Sequence, residues 1–131
     1  MARQDVETMR GMYEALNRQD IPTVLTIIDA DIEWHAPGGG NAPSGILHGA
    51  EAVGREVFAH APRHFEEFQI EPERFIDAGD HVVAIGTFRG QGKGGQRLEA
   101  PFVHVWQMRE GKPVRLQNLV EAESWRKGWG G

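Results

Sequence analysis

Trp34 and His35 stand side by side in "DADIEWHAPGGGNAPSG", where an apolar–polar alternation runs into a loop dense in glycine and proline. An imidazole can take or give a proton near neutral pH. Burial tunes it, because loss of water penalises the charged ring and lowers its pKa. Further along, Asn118 alternates with Leu116 and Val120, which places its amide on an otherwise apolar face. A buried amide without partners costs about 1–3 kcal/mol, so Asn118 must bond to protein, water or ligand. Two other groupings carry less chemistry. His60 and His64 have the four-residue separation of a helical metal pair, but Pro62 interrupts the helix between them, and no metal site is expected. "GQGKGGQ" lacks the phosphate-loop spacing and joins two strands instead of opening a helix, so it reads as a mobile hairpin.

These groups need elements to hold them. Residues 3–18 read as a helix, with Val6, Met9, Tyr13 and Leu16 on one apolar stripe. A second helix starts after Asp20, a plausible N-cap, with Pro22 in its first turn and Val24, Leu25, Ile27 and Ile28 turned inward. "DADIEW" switches to a period of two, with Ile32 and Trp34 on one face and Glu33 and His35 on the other. "GAEAVGREVFAHA" makes a third helix through Val53, Val57 and Phe58, ended by Pro62. Strands follow at 65–76, 80–89, 96–109 and 112–122, separated by the turn sequences "DAGD", "GQGKGG" and "REGK". Helices first and antiparallel strands afterwards define an α+β domain over residues 1–131, with three N-terminal helices on one face of a curved sheet.

Composition narrows the classes. A net charge of −5 with interspersed basic residues offers no stripe for phosphates, so nucleic acid is not an expected partner. The absence of cysteine removes disulfides and thiolate chemistry. The first twenty residues are charged throughout, and no apolar run approaches the ~20 residues of a membrane helix, which fits a cytoplasmic protein with no membrane partner.

The strands carry a further signal. In "HVVAIGTFRG" both faces are largely apolar: Val82, Ala84, Gly86 and Phe88 on one, Val83, Ile85 and Thr87 on the other. In "APFVHVWQM", Val103 and Val105 oppose Phe102, His104, Trp106 and Met108. A sheet with one wet face alternates more cleanly. Helices cover only one face, so a second copy of the chain is expected on the other, as a homodimer through Phe102, His104 and Trp106. A sheet curved enough to pack on itself is the alternative. Small residues at Ala84 and Gly86 on the concave side leave room for an apolar pocket. Trp34, Phe58, Phe88, Val103, Val105 and Leu116 complete its expected lining, and the glycine-rich loop forms its rim.

The order of "MYEALNRQD", "DADIEWHAPG", "PSGILHGAEAVG", "DAGDHVVAIGTFRGQG", "APFVHVWQMREGKPVR" and "LQNLVEAESW" resembles the SnoaL-like branch of the NTF2-like superfamily. That superfamily includes ketosteroid isomerase, polyketide cyclases, limonene epoxide hydrolase and scytalone dehydratase. The resemblance covers nearly the whole chain. It implies a cone-shaped half-barrel, usually dimeric, with a deep apolar pocket and no required cofactor. Ketosteroid isomerase uses a carboxylate base with a tyrosine and a protonated aspartic acid as oxyanion donors. Tyr13 matches that tyrosine. The two acids have no counterpart: the base position falls at Trp34, or near Ala36, and the donor position at Val103. The resemblance therefore excludes a ketosteroid isomerase of the usual kind. The Asp-Arg-Asp set of the epoxide hydrolases has no acids in "VVAIGTFR" either. Glu121 matches the acidic position of the polyketide cyclases, and Trp34 and His35 match their aromatic-His pair. The resemblance thus implies proton transfer (isomerisation, cyclisation or elimination) on a largely apolar organic ligand, without metal or nucleotide. Glu121 or His35 would be the base, and Tyr13 and Asn118 the polar stabilisers. A binding or dimerisation module without catalysis is the competing expectation.

Overall fold

The computed structural model describes residues 2–131, with side chains from residue 4 onward. Helix α1 spans Ala2–Asn17 and buries Met9, Met12 and Tyr13 completely or nearly so. Helix α2 spans Ile21–Ile27, capped by the Asp20 carboxylate on the Thr23 amide (3.3 Å) and hydroxyl (2.7 Å). Its inward side holds Val24 and Ile28, while Leu25 is exposed, because a seven-residue helix offers the core only a narrow stripe.

Strand β1 spans Glu33–Pro37 and β2 spans Ser44–His48. The expected loop is thus a hairpin, with Gly38, Gly39 and Gly40 at positive φ making its turn, a conformation that glycine adopts without Cβ strain. The third expected helix divides into α3 (Ala50–Val53), a wider π-type turn (Gly54–Phe58) and α4 (Ala61–His64). Pro62 sits in the first turn of α4, where its missing N–H costs no helical bond, and so starts an element instead of ending one.

The remaining strands are β3 (Phe65–Asp77), β4 (His81–Gly92), β5 (Arg97–Arg109) and β6 (Lys112–Val120). Helix α5 (Ala122–Trp129) follows, where strand had been expected to run through residue 122. The six-stranded sheet has the order β2-β1-β6-β5-β4-β3, antiparallel except for β1 beside β6. It is the curved, unclosed α+β sheet that the sequence implies, with helices packed on its concave side.

Register decides which side chains enter the core. Directly opposite residues on neighbouring strands share a face. Ala84 pairs with His104, Gly86 with Phe102 and Phe88 with Ala100, and all six are buried on the concave side. Phe102, His104 and Trp106 therefore point inward, against the expected dimer contact, and Val103 and Val105 point outward, against the expected pocket lining. The physical reason is volume. The small residues of β4 leave space that only the bulky side chains of β5 can fill. The ring of Phe102 lies over Gly86, where a Cβ would come within 2.8 Å of its Cζ.

The outer face stays aliphatic nonetheless. Ile85 pairs with Val103, Val83 with Val105, and Val103 with Leu119, which is 58% exposed. No helix among the described residues is long and apolar enough to cross a membrane.

Candidate functional site

A cavity of about 100 Å³ opens between the concave side of the sheet, α1, the α3–α4 segment and α5. Tyr13, Trp34, Phe58, Phe88, His104, Trp106 and Asn118 are among its lining residues. Its walls are aromatic: Trp34 meets Phe58 and Trp106 edge to face, with ring centroids 5.5 Å apart in both pairs. Pro37 and Pro43, at the ends of the glycine-rich turn, contribute to the lining. That turn is tied down by the Asn41 amide on the Gly130 carbonyl (2.9 Å).

A chain of buried hydrogen bonds forms the polar floor. The Trp106 indole N–H donates to the Tyr13 oxygen (2.9 Å), and that hydroxyl lies 2.6 Å from His104 Nδ1. With its oxygen occupied by Trp106, Tyr13 has its own proton free to donate, and Nδ1 is the acceptor in reach. This assigns the His104 proton to Nε2. Burial pushes the His104 pKa down to about 3, with Asn118 acting weakly in the opposite sense, so the ring is neutral. Burial likewise pushes the Tyr13 phenol upward, only partly offset by Trp106, which keeps its proton in place. His104 Nε2 and Asn118 Oδ1 belong to directly paired residues of neighbouring strands and are buried; their mutual contact falls short of hydrogen-bond geometry, and neither has another partner among the described residues.

The other expected site residues lie elsewhere. His35 bonds Glu33 on the outer side of β1, and Glu33 also meets Arg115 at 3.1 Å. The His35 bond and then the Arg115 charge hold the Glu33 carboxyl below its usual range. Glu121 is the N-cap of α5, accepting from Ser124 N (3.0 Å) and Glu123 N (3.2 Å), and the Ser124 hydroxyl leads these bonds in lowering its pKa. Neither residue reaches the cavity. Ala84, Gly86 and Leu116 belong to the inner layer of the sheet but do not line the open space, and Val103 and Val105 face away from it.

Several lining residues were not anticipated. His104 and Trp106 follow from the inverted register of β5. Trp125 and Trp129 come with α5, whose signals were the capping acid Glu121 and the four-residue spacing of the two indoles. Glu66 is the carboxylate on the lining, exposed at the mouth. It falls in a β-bulge, where the pairing of β3 with β4 skips from Phe65 to Glu67. Regular alternation would put Phe65 and Glu66 on opposite faces, and the bulge turns both toward the cavity. Among the described residues, no three His, Asp or Glu side chains are grouped as metal ligands.

A mixed sheet bent over an aromatic cavity with a buried polar floor is an arrangement of the NTF2-like type. The sequence profile of the SnoaL-like domain matches residues 9–116, and the chain belongs to that family. Solved structures agree. An NTF2-like protein of unknown function from Burkholderia pseudomallei is 32% identical, with 88% of each chain covered and a TM-score of 0.80. TerC, crystallised with polyporic acid, is 29% identical over 90% of this chain and 92% of its own, with a TM-score of 0.81. IdmH, a putative polyketide cyclase from Streptomyces antibioticus, shares the fold at 23% identity over 90% and 92%, with a TM-score of 0.76. Among curated proteins, none matches the sequence.

Proposed function

We propose that this SnoaL-like protein is a proton-transfer enzyme acting on a small, largely apolar, oxygenated organic compound held in the aromatic cavity. The observation that carries this reading is the buried His104 Nε2–H, which meets no acceptor in hydrogen-bond geometry among the described residues, on the floor of an otherwise apolar space. A ligand carbonyl oxygen seated there would receive a donor whose position is already fixed. The hydroxyl of Tyr13 holds the ring from behind, and Trp106 holds Tyr13. In a dry site such a donor stabilises developing negative charge far better than in water. A neutral imidazole suits this role, because it donates without carrying a charge of its own.

Glu66, at the mouth, is the carboxylate available to take a proton from carbon next to that carbonyl. The C–H bond would break, its electrons would move onto the oxygen, and the proton would pass to Glu66. Return of the proton to a different carbon gives isomerisation. Loss of a β-leaving group gives elimination. The co-crystallisation of TerC with polyporic acid supports an organic small molecule as the ligand of this chain as well. This reading moves the base from Glu121 and His35, which lie outside the cavity, to Glu66.

Exchange of α-hydrogens for deuterium in a panel of cyclic ketones, followed by NMR, tests it. Wild-type protein should accelerate exchange for at least one member, and His104→Phe should lower that rate about 100-fold or more, the usual cost of removing an oxyanion donor. Glu66→Gln should lower it as well, while His35→Ala and Glu121→Ala should not. Binding without exchange would favour the non-catalytic alternative, which the placement of Glu121 and His35 outside the cavity supports.

The expectation of a homodimer also stands as a proposal, with its contact moved to Val83, Ile85, Val103, Val105 and Leu119. A convex aliphatic patch that no helix among the described residues covers fits a two-fold copy of itself. Val103→Asp should convert a dimeric species to a monomer in size-exclusion chromatography with light scattering. A wild-type protein that runs as a monomer at micromolar concentration overturns the proposal.

A further inference from the structure

Two polar atoms in the cavity remain without a role. The indole N–H groups of Trp125 and Trp129 are buried and have no acceptor among the described residues, although the two residues are only 4% and 2% exposed. Leaving a buried donor unpaired carries a real cost, and phenylalanine would fill an aromatic wall without it. Trp106 shows the contrast, since its N–H is spent on Tyr13. Trp125 and Trp129 sit four residues apart on α5, so both indoles present the same side of the helix, and both line the cavity.

They are set apart from the floor already described. Phe88 stands between: its ring lies 5.5 Å from that of His104 and 4.6 Å from that of Trp125. The cavity therefore has donors in two places, His104 Nε2–H in one and the paired indoles in the other, with aromatic carbon between them. Its volume of about 100 Å³ is of the order of the ~150 Å³ apolar cavity that accepts a benzene ring. Among the described residues no lysine or arginine lines it, and Glu66 stands at its mouth, so the recognition is by hydrogen bonds to neutral or electron-rich oxygen.

We infer that the ligand is a single-ring compound with oxygen acceptors on two opposite edges, a cyclic dione or a compound of that pattern. One oxygen seats on His104 Nε2–H, the other on the indole N–H groups of Trp125 and Trp129. This rests on the proposed function for the first oxygen and adds the second.

The test uses 1,4-cyclohexanedione, with cyclohexanone as the single-acceptor comparison, and reads the indole N–H signals in a ¹H–¹⁵N spectrum of the wild-type protein. Saturable binding of the dione should move the Trp125 and Trp129 indole signals and leave that of Trp106 nearly in place. The dione should bind more tightly than the monoketone. Trp125→Phe and Trp129→Phe should each weaken the dione about three- to tenfold, the worth of one hydrogen bond, and should weaken it more than they weaken the monoketone. Dione binding that leaves both signals unmoved, or equal affinity for the two probes, overturns the inference while the proposed function survives. If neither probe binds, both fall.

Discussion

From pH 6.5 down to about 4.5 the protein should lose stability steadily, and most of that loss should disappear when His104 is replaced by phenylalanine. The folded-state pKa of His104 is depressed to about 3 by burial, against an ordinary value of 6.5. Between those values the unfolded chain holds a proton on this ring and the folded chain does not. Protonation then favours unfolding, so stability is complete above about 6.5 and falls as the solution is acidified. The slope for one such group is about 1.4 kcal/mol per pH unit, which amounts to roughly 3 kcal/mol across that window.

Carboxylates add to the effect only at lower pH. Asp20, held down by Thr23, Glu33, held down by His35, and Glu121, held down by Ser124, all have ordinary values of 4.5 or below and lose their contribution beneath that point. His64 is shifted in the same direction as His104, by burial and then by the charge of His60, so His64→Gln serves as the control for its share. Urea midpoints measured at half-unit pH steps decide the matter. The His104→Phe protein should be less stable at pH 7.5, because Tyr13 loses its acceptor, yet nearly flat down to 4.5. An unchanged slope in that variant would show that the ring is not buried neutral.

Gly86→Ala should be the most damaging single methyl group in the sheet. The added Cβ would overlap the Glu71 carbonyl oxygen and stand 2.8 Å from Pro72 Cα and from Phe102 Cζ. Two of those three atoms are backbone of β3, which cannot swing aside as a side chain can. Strand β3 passes this close where its pairing skips between Pro72 and Arg74, so the glycine accommodates an irregular neighbour. Overpacking of this kind costs about 3 kcal/mol or more. Gly11→Ala has the opposite sign. Nothing lies within 4 Å of a Cβ there, and alanine in the middle of α1 should stabilise by about 0.5–1 kcal/mol. Thermal unfolding of the two variants side by side measures both, and equal midpoints would refute the steric account.

Periodicity made most of the architecture readable in advance. The α1 stripe, the Asp20 cap, the switch to period two at Trp34 and the four long strands all follow from local patterns that one element imposes on its own residues. What escaped was decided between elements. On β5 both sets of alternating residues are apolar, so hydrophobicity alone could not say which faces inward. The answer lay in volume, with Ala84 and Gly86 on β4 requiring Phe102 and His104 opposite. The strand β2 was hidden because "SGILH" is short and follows a run of glycines, and its partner β1 supplies the pairing. Glu121 reads as a strand acid until the serine three residues later is seen as part of its cap. Tyr13, Trp34, Phe58, Phe88 and Asn118 could be placed near an apolar space from sequence, but the imidazole beside the phenol could not, since the two are 91 positions apart.

That separation bears on kinetics. The contacts of Tyr13 with His104 and Trp106 span 91 and 93 positions, and β1 can join the sheet only once β6 is present beside it. The β5–β6 hairpin brings His104 beside Asn118 locally, but the floor is complete only when Tyr13 arrives from 91 positions away, so the chain must close a large loop before the site forms. Refolding is expected in milliseconds to seconds instead of microseconds, with Trp34 and Trp106 fluorescence changing in the slow phase.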